Sequence, residues 1–221
     1  SFSKIVHNIE FRAYLAMVVL FYLVIVFLNF RNESVSFSTA LTEGLFNTVS
    51  VITTTGYYTA DFSLWGSLAL LLMFFLMFPG GMAGSASGGI KVIRLLVAAV
   101  NARNESRRMI HPNAFIPVRI DRRRVASGTV HNLLIFIVIY LITFCAGALL
   151  ISFLGYDIIT SFGTSASMLS NIGPGLGTFG PFSTYAGMAT AGKWILAGLM
   201  FLGRIEILSA IVLMAGSFYR K

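Results

Sequence analysis

Residues 50–58 have the residue types and order that could bind a cation through backbone carbonyl oxygens, with Thr55, Gly56 and Tyr57 directly after a half-apolar stretch. Carbonyls that replace an ion's water shell must point the same way, so the backbone conformation has to alternate along the segment. Gly56 permits this because it lacks a Cβ atom and adopts positive φ without steric cost. A β-hairpin or a polar loop fits these residues equally well, so the segment alone leaves both interpretations open.

A second segment of the same kind reads Asn-Ile-Gly-Pro-Gly-Leu-Gly at residues 171–177. Aligning its first glycine with the earlier one pairs several positions: Gly173 with Gly56, Ile172 with Thr55, Ser167 with Ser50 and Phe179 with Phe62. We name residues 54–57 and 171–174 the first and second glycine segments. The pairing predicts an internal duplication of span, short helix, glycine segment and span. Because both copies cross a membrane in the same direction, we expect parallel repeats about an axis along the membrane normal.

The composition excludes an ordinary soluble domain, since 57% of the 221 residues are hydrophobic and only 11% are charged. The sequence therefore predicts an all-α integral membrane protein. The net charge of +8 does not indicate a nucleic-acid partner, because most basic residues lie in short stretches beside apolar runs. The single cysteine, Cys145, lies inside an apolar run and is expected to be a small buried hydrophobe.

Apolar runs place the membrane-crossing elements. The sequence predicts four spans, at residues 11–30, 64–78, 133–154 and 193–219. Two Ser/Thr-rich stretches, 37–52 and 157–170, are shorter than the roughly twenty residues a spanning helix needs and predict re-entrant half-spans. Irregular backbone after a half-span is tolerated at membrane depth only where protein or a water-filled cavity covers it.

A glycine-rich interruption follows the second span. Residues 80–89, named here the Gly-rich loop, contain five glycines and two serines, and a helical pattern resumes at 90–100. A simple Gly/Ser kink is one interpretation. A phosphate-binding loop is excluded because no Gly-Lys-Ser/Thr sequence follows.

Basic residues set the expected orientation in the membrane. Residues 101–124 are rich in arginine and predict a cytoplasmic loop, and both termini are expected on that same side of the cell (inner) membrane. The sequence is accordingly divided into a first repeat at 1–100, a basic loop at 101–128 and a second repeat at 129–221. Because residue 1 is not Met and no signal-peptide pattern precedes the first span, we expect a fragment or a processed product.

Five ordered motifs carry a family resemblance. They are residues 53–57, 80–94, 111–117, 170–175 and 203–208. Together they make the chain resemble the C-terminal half, two of four repeats, of a K⁺ transporter of the Trk/Ktr/HKT superfamily, most similar to the bacterial TrkH and TrkG type. The resemblance implies that the two repeats are K⁺-channel-like. It also implies K⁺ uptake or conduction and no enzyme activity, with K⁺ as the transported ion and no cofactor. The alternatives are a non-conducting structural membrane subunit or a less selective Na⁺/K⁺ pathway.

The resemblance also implies residue roles. Backbone carbonyls of the two glycine segments would form a selectivity filter for K⁺: Thr54, Thr55, Gly56 and Tyr57 with Asn171, Ile172, Gly173 and Pro174. Pro174 departs from the tyrosine of the first copy, so fourfold symmetry is approximate. The Gly-rich loop and its surroundings would gate the path: Gly80, Gly81, Gly84, Ser85, Gly88, Gly89, Lys91 and Arg204. Arg204 is expected in the middle of the last span, facing the ion path or held by a partner helix.

The expected partners follow from the same resemblance and from the number of glycine segments in the chain. A filter encircles an ion with four segments, whereas this chain supplies two, so a homodimer or a missing N-terminal half is expected to complete the pore. The basic loop, with Glu105 and Asp121, could dock a cytosolic nucleotide-binding regulatory ring. The three histidines, His7, His111 and His131, show no metal-ligand spacing.

Overall fold

A computed structural model describes residues 6–31, 35–111, 116–121 and 123–206 of the chain. This part is mostly helical, as the sequence predicts. Its α-helices are α1 (Ile9–Phe30), α2 (Phe37–Ile52), α3 (Ser67–Leu76), α4 (Val92–Ile110), α5 (Ser127–Phe153), α6 (Ile158–Leu169) and α7 (Thr190–Arg204). Among them, α1 and α5 are long and apolar enough to cross a membrane.

Helix α2 has the bounds predicted for the first half-span. The side chain of Ser36 caps it by accepting a hydrogen bond from the Thr39 N–H at 3.2 Å, which satisfies one of the free donors of the first turn. Helix α2 packs along α1, and the contact is close at Gly44, where a Cβ atom would lie 2.7 Å from Cγ2 of Val26. A small residue at this point lets the two helices approach.

Helix α3 is shorter than the predicted span at 64–78. A 3₁₀ turn at Phe62–Trp65 precedes it, and Gly66, with φ of 94°, separates the turn from the helix. Its 10 residues rise about 15 Å, roughly half the hydrocarbon thickness of a bilayer. The chain therefore reaches the Gly-rich loop part of the way across, as expected for a broken span.

Helix α4 extends well beyond the predicted pattern at 90–100 and ends at Ile110. Its second half lacks glycine and proline, and the Glu105–Arg108 pair, at 2.6 Å, adds an i,i+3 contact. Two short strands follow, β1 (Arg119–Ile120) and β2 (Arg123–Arg124), which pair antiparallel. We name these two strands, together with Asp121, the Arg-rich hairpin. Sequence analysis predicted only a loop here.

The second half of the chain repeats the order of long helix, short helix and glycine segment. Helix α6 begins after Asp157, whose side chain accepts a hydrogen bond from the Thr160 N–H at 3.2 Å. Hydrogen bonding from the Thr160 side chain, and then from backbone N–H groups, lowers the pKa of the Asp157 carboxyl. Helix α6 packs between α5 and α7 and is buried over most of its length. Its bounds agree closely with the predicted half-span at 157–170.

The prediction of one continuous last span at 193–219 is wrong within the described residues. Helix α7 ends at Arg204, and Glu206 has a φ of 62°, which breaks the helical path. Arg204 thus lies at a helix end and not in the middle of a span. The polar contacts of Arg204 and Glu206 with the Gly-rich loop and α4 account for this break, and residues 207–221 lie outside the described part.

The core lies between the two halves of the chain. Aromatic rings from both halves meet there: the Phe78 ring contacts those of Phe74, Phe144 and Tyr140 at centroid distances of 5.2, 5.1 and 6.4 Å. The expectation that Cys145 is buried is wrong, because its side chain is exposed on the outer surface of α5. A membrane helix has apolar residues on all of its faces. The sequence pattern therefore does not show which face points outward and which packs in the core.

Candidate functional site

The first glycine segment leaves the end of α2 in an alternating backbone conformation. Thr54 and Gly56 have φ values of 55° and 78°. The Thr55 N–H donates to the Ser50 carbonyl at 2.9 Å, which turns the chain back along the helix end. The Ser50 hydroxyl donates to the Tyr57 carbonyl at 2.5 Å and so ties the far end of the segment to α2.

The second glycine segment repeats this geometry at the aligned positions. Asn171 and Gly173 have φ values of 58° and 115°, and the Ile172 N–H donates to the Ser167 carbonyl at 2.9 Å. The Ser167 hydroxyl accepts from the Gly173 N–H at 3.1 Å, whereas the aligned serine of the first copy donates to a carbonyl. The two short helices thus end in nearly the same turn, with a different serine contact.

The two glycine segments lie against each other. A Cβ atom built on Gly56 would lie 1.8 Å from the Ile172 carbonyl oxygen and 3.2 Å from Cδ of Pro174. Only a glycine allows this approach, since no side chain fits in that gap. The Gly173 carbonyl accepts from the Tyr185 hydroxyl at 3.0 Å. Like the Tyr57 carbonyl, it keeps a second lone pair for another partner.

The Gly-rich loop is closed at its base by two backbone hydrogen bonds. The Ile90 N–H donates to the Phe78 carbonyl at 2.7 Å, and the Val92 N–H donates to the Gly81 carbonyl at 3.1 Å. Gly80, Gly84 and Gly89 have positive φ. A Cβ atom on Gly88 would lie 2.1 Å from the Ser170 carbonyl oxygen, so the loop packs directly on the residue before the second glycine segment.

The interior of the loop is held by serine hydroxyls, and its outer part is exposed. Ser87 Oγ accepts from the Gly81 N–H at 2.8 Å and from the Ser85 hydroxyl at 3.0 Å. Gly80, Gly81 and Gly88 are buried, whereas residues 83–86 are exposed. The loop therefore has a fixed base and a more open tip.

Charged side chains from α4 and α7 surround the loop. Lys91 and Arg94 both contact the Glu206 carboxylate, at 2.6 and 3.0 Å, and Arg204 donates to the Ala86 carbonyl. A cavity of about 240 Å³ is lined by Ser85, Lys91, Arg94, Arg204 and Glu206 among others. Its lining carries three cations and one carboxylate, and this excess of positive charge opposes the entry of another cation. The predicted gate residues Lys91 and Arg204 are thus brought to one side of the loop.

Glu10 is a residue at this site that sequence analysis missed. It lies in the first turn of α1, only 7% of its surface is exposed, and its Oε1 atom accepts from the Ala83 N–H at 2.5 Å. An acidic residue at the start of an apolar span is a visible signal in the sequence. Its partner is a backbone group 73 residues away, which no local pattern indicates.

Comparisons with known proteins give matches over most of this chain. Residues 10–220 match the model of the TrkH family, described as a cation transport protein. The chain is 39% identical over 184 residues to "Trk system potassium uptake protein TrkI" of Halomonas elongata, covering 83% of this chain and 37% of that protein. It is 34% identical over 217 residues to "Trk system potassium uptake protein TrkH" of Vibrio parahaemolyticus, covering 96% of this chain and 44% of that protein.

A solved structure shows the same fold. The crystal structure of the potassium transporter TrkH from Vibrio parahaemolyticus matches with a TM-score of 0.87 and 32% identity. The match covers 97% of this chain and 46% of that one. The chain therefore spans less than half the length of the relatives it matches.

Proposed function

This chain belongs to the TrkH family of cation transport proteins, a family of membrane proteins, and from that premise we propose that it forms part of a K⁺ pathway across the cell membrane. Relatives that cover most of this chain are named potassium uptake proteins. The proposed substrate is the bare K⁺ ion, which needs oxygen ligands in place of its water shell.

The close approach of the two glycine segments is the observation that carries this proposal. Two short helices end in matching turns, and the Gly56 backbone lies against the Ile172 carbonyl. Backbone carbonyls of residues 54–57 and 171–174 would supply the oxygen ligands, as two of four sides of a filter. The carboxyl ends of α2 and α6, which precede these segments, add partial negative charge that favours a cation.

The Gly-rich loop is proposed as the gate of the pathway. Its base packs on Ser170, directly before the second glycine segment, and Arg204 donates to Ala86 in its tip. A segment with many glycines changes conformation at low cost, so loss of a few contacts can shift it. The positive charge of Lys91, Arg94 and Arg204 beside it adds an electrostatic barrier while the loop is closed.

A further unit is proposed to complete the pore, because two glycine segments provide half of a fourfold filter. The face of α2 beside the first segment is open and apolar, with Leu45, Phe46 and Val49 between 37 and 47% exposed. A second copy of this chain or an N-terminal half would cover it. We further propose an inner-membrane location with both termini cytoplasmic, and the basic loop, which includes the Arg-rich hairpin, as the docking surface for a nucleotide-binding ring.

Cation uptake into liposomes that contain the assembled transporter tests the function. We expect K⁺ uptake in preference to Na⁺, and a lower K⁺/Na⁺ ratio for Gly56→Ser. Gly198→Ser is the matched control, because a Cβ atom at this exposed position of α7 meets nothing within 4 Å. Equal uptake of both ions by the parent protein would favour the less selective pathway. No cation uptake at all would favour a non-conducting subunit.

A further inference from the structure

The Arg-rich hairpin contacts the first turn of α1 through the side chain of Asp121. This residue occupies the turn between β1 and β2 with a φ of 47°, and its Oδ1 atom accepts from the Ile9 N–H at 3.1 Å. Asn8 Oδ1 accepts from the next two N–H groups, those of Glu10 at 2.8 Å and Phe11 at 3.2 Å. The free donors at the start of α1 are thus shared between the local cap and the hairpin.

The same turn of α1 contacts the Gly-rich loop on its other side. The Glu10 carboxylate is buried and accepts from the Ala83 N–H at 2.5 Å. A buried carboxylate is tolerated only when it is hydrogen-bonded, and here the amino end of α1 also favours its negative charge. Glu10 therefore holds one end of the loop tip, while Arg204 holds the other end at Ala86.

We propose that the first turn of α1 links the Arg-rich hairpin to the Gly-rich loop, with Asp121 fixing the turn and Glu10 fixing Ala83. This inference rests on the proposed role of the loop as a gate. The loop is the element with two states, and the Glu10 contact exists only while Ala83 stays in its present place. A displacement of the hairpin, on the side proposed to be cytoplasmic, would move this turn and release the loop tip. Asp121 and Glu10 are positioning residues, since neither touches the glycine segments in the contacts described above.

Flux measurements on the assembled transporter in liposomes test the contact with Ala83. A hydrogen bond to a charged group contributes enough that Glu10→Ala is expected to raise K⁺ uptake on the order of tenfold. The K⁺/Na⁺ ratio should stay the same, because the glycine segments are untouched. Glu10→Gln keeps an acceptor oxygen at the same reach and should restore uptake close to the parent level. Uptake by Glu10→Ala that equals the parent, or an equal rise in both variants, would overturn the proposal.

A double-mutant cycle tests whether Asp121 acts through Glu10. As a single variant, Asp121→Ala should raise K⁺ uptake. In the Glu10→Ala background it should cause no further rise, because the link is already broken. Asp121→Asn keeps the capping oxygen and should behave as the parent. Asp61→Ala is the matched control, since it removes an acid that likewise accepts from a backbone N–H, that of Ser63 at 2.9 Å, and should leave uptake unchanged. Additive effects of the two alanine variants would overturn the link.

Deleting residues 83–86 separates this inference from the proposed function. If the deletion leaves uptake unchanged in an assembled protein, the loop is not a gate and the proposed function fails at that point. If the deletion raises uptake but Glu10→Ala and Asp121→Ala do not, only the link fails. Should Glu10→Ala prevent assembly, the Asp121 pair decides alone: equal uptake for the alanine and asparagine variants overturns the proposal.

Discussion

At the scale of single residues, the aligned glycines of the two glycine segments carry different constraints. Both need positive φ, which costs other residues about 1–2 kcal/mol. Gly56 must in addition leave room for the Ile172 carbonyl, whereas a Cβ atom on Gly173 would meet nothing within 4 Å. The alignment of the two copies treats these positions as equal. Their different steric constraints become visible only in the packing of one glycine segment on the other.

Alanine substitutions should reveal this difference. Gly173→Ala is expected to destabilise the protein by about 1–2 kcal/mol through backbone strain alone. Gly56→Ala should cost more and lower the K⁺/Na⁺ ratio, because the two segments must move apart. Thermal unfolding in detergent and ion uptake in liposomes measure the two effects. Equal losses for both variants would show that the segments do not pack as described.

At the scale of elements, the Gly-rich loop is held by contacts from three helices. Glu10 of α1 binds Ala83, Arg204 of α7 binds Ala86, and Glu206 joins the end of α7 to Lys91 and Arg94 at the start of α4. The exposed tip of the loop is therefore held from outside at Ala83 and Ala86, in addition to the serine hydrogen bonds inside the loop. Such a segment can change state when one support is removed.

Removing Arg204 is expected to open the path. Arg204→Ala eliminates both a contact with the loop tip and a positive charge beside the path, and both losses should raise K⁺ uptake without changing the K⁺/Na⁺ ratio. Lys193→Ala is the control, because Lys193 lies in the first turn of the same helix and donates to the Ala186 carbonyl, away from the loop. Unchanged uptake by Arg204→Ala in well-assembled protein would rule out its role in the gate.

At the scale of the whole molecule, the described fold leaves one apolar face uncovered. The outer face of α2 is exposed, and so are Thr55 and Tyr57 of the first glycine segment, Tyr57 at 73%. Polar backbone beside apolar side chains is unfavourable against lipid, because unpaired N–H and C=O groups cannot bond there. A partner that continues the proposed filter would cover both kinds of surface at once.

The mass of the particle in detergent identifies this partner. For the chain purified by itself we expect two copies in one particle, related by an axis along the membrane normal. Light scattering corrected for bound detergent measures the protein mass, and an uptake assay on the same fraction shows whether that particle conducts. A single copy that takes up K⁺ would contradict the need for a second unit.

The sequence alone predicted the elements that depend on near neighbours. The bounds of α2 and α6 were predicted within a residue or so from two short Ser/Thr-rich stretches. The structure shows a capping side chain directly before each helix, Ser36 and Asp157. The two glycine segments were found because each needs a permissive residue directly after a helix end. These features are encoded within a few residues, so a local pattern contains them.

The tertiary structure decided the contacts between distant parts of the chain. Glu10 and Ala83 are 73 positions apart, Ile9 and Asp121 are 112 apart, and Arg204 and Ala86 are 118 apart. The end of α7 at Arg204 and the outward side chain of Cys145 also depend on the tertiary structure. The partner of a charged side chain and the buried face of a helix are set only when distant parts of the chain pack together. Sequence periodicity describes one helix at a time and therefore contains neither.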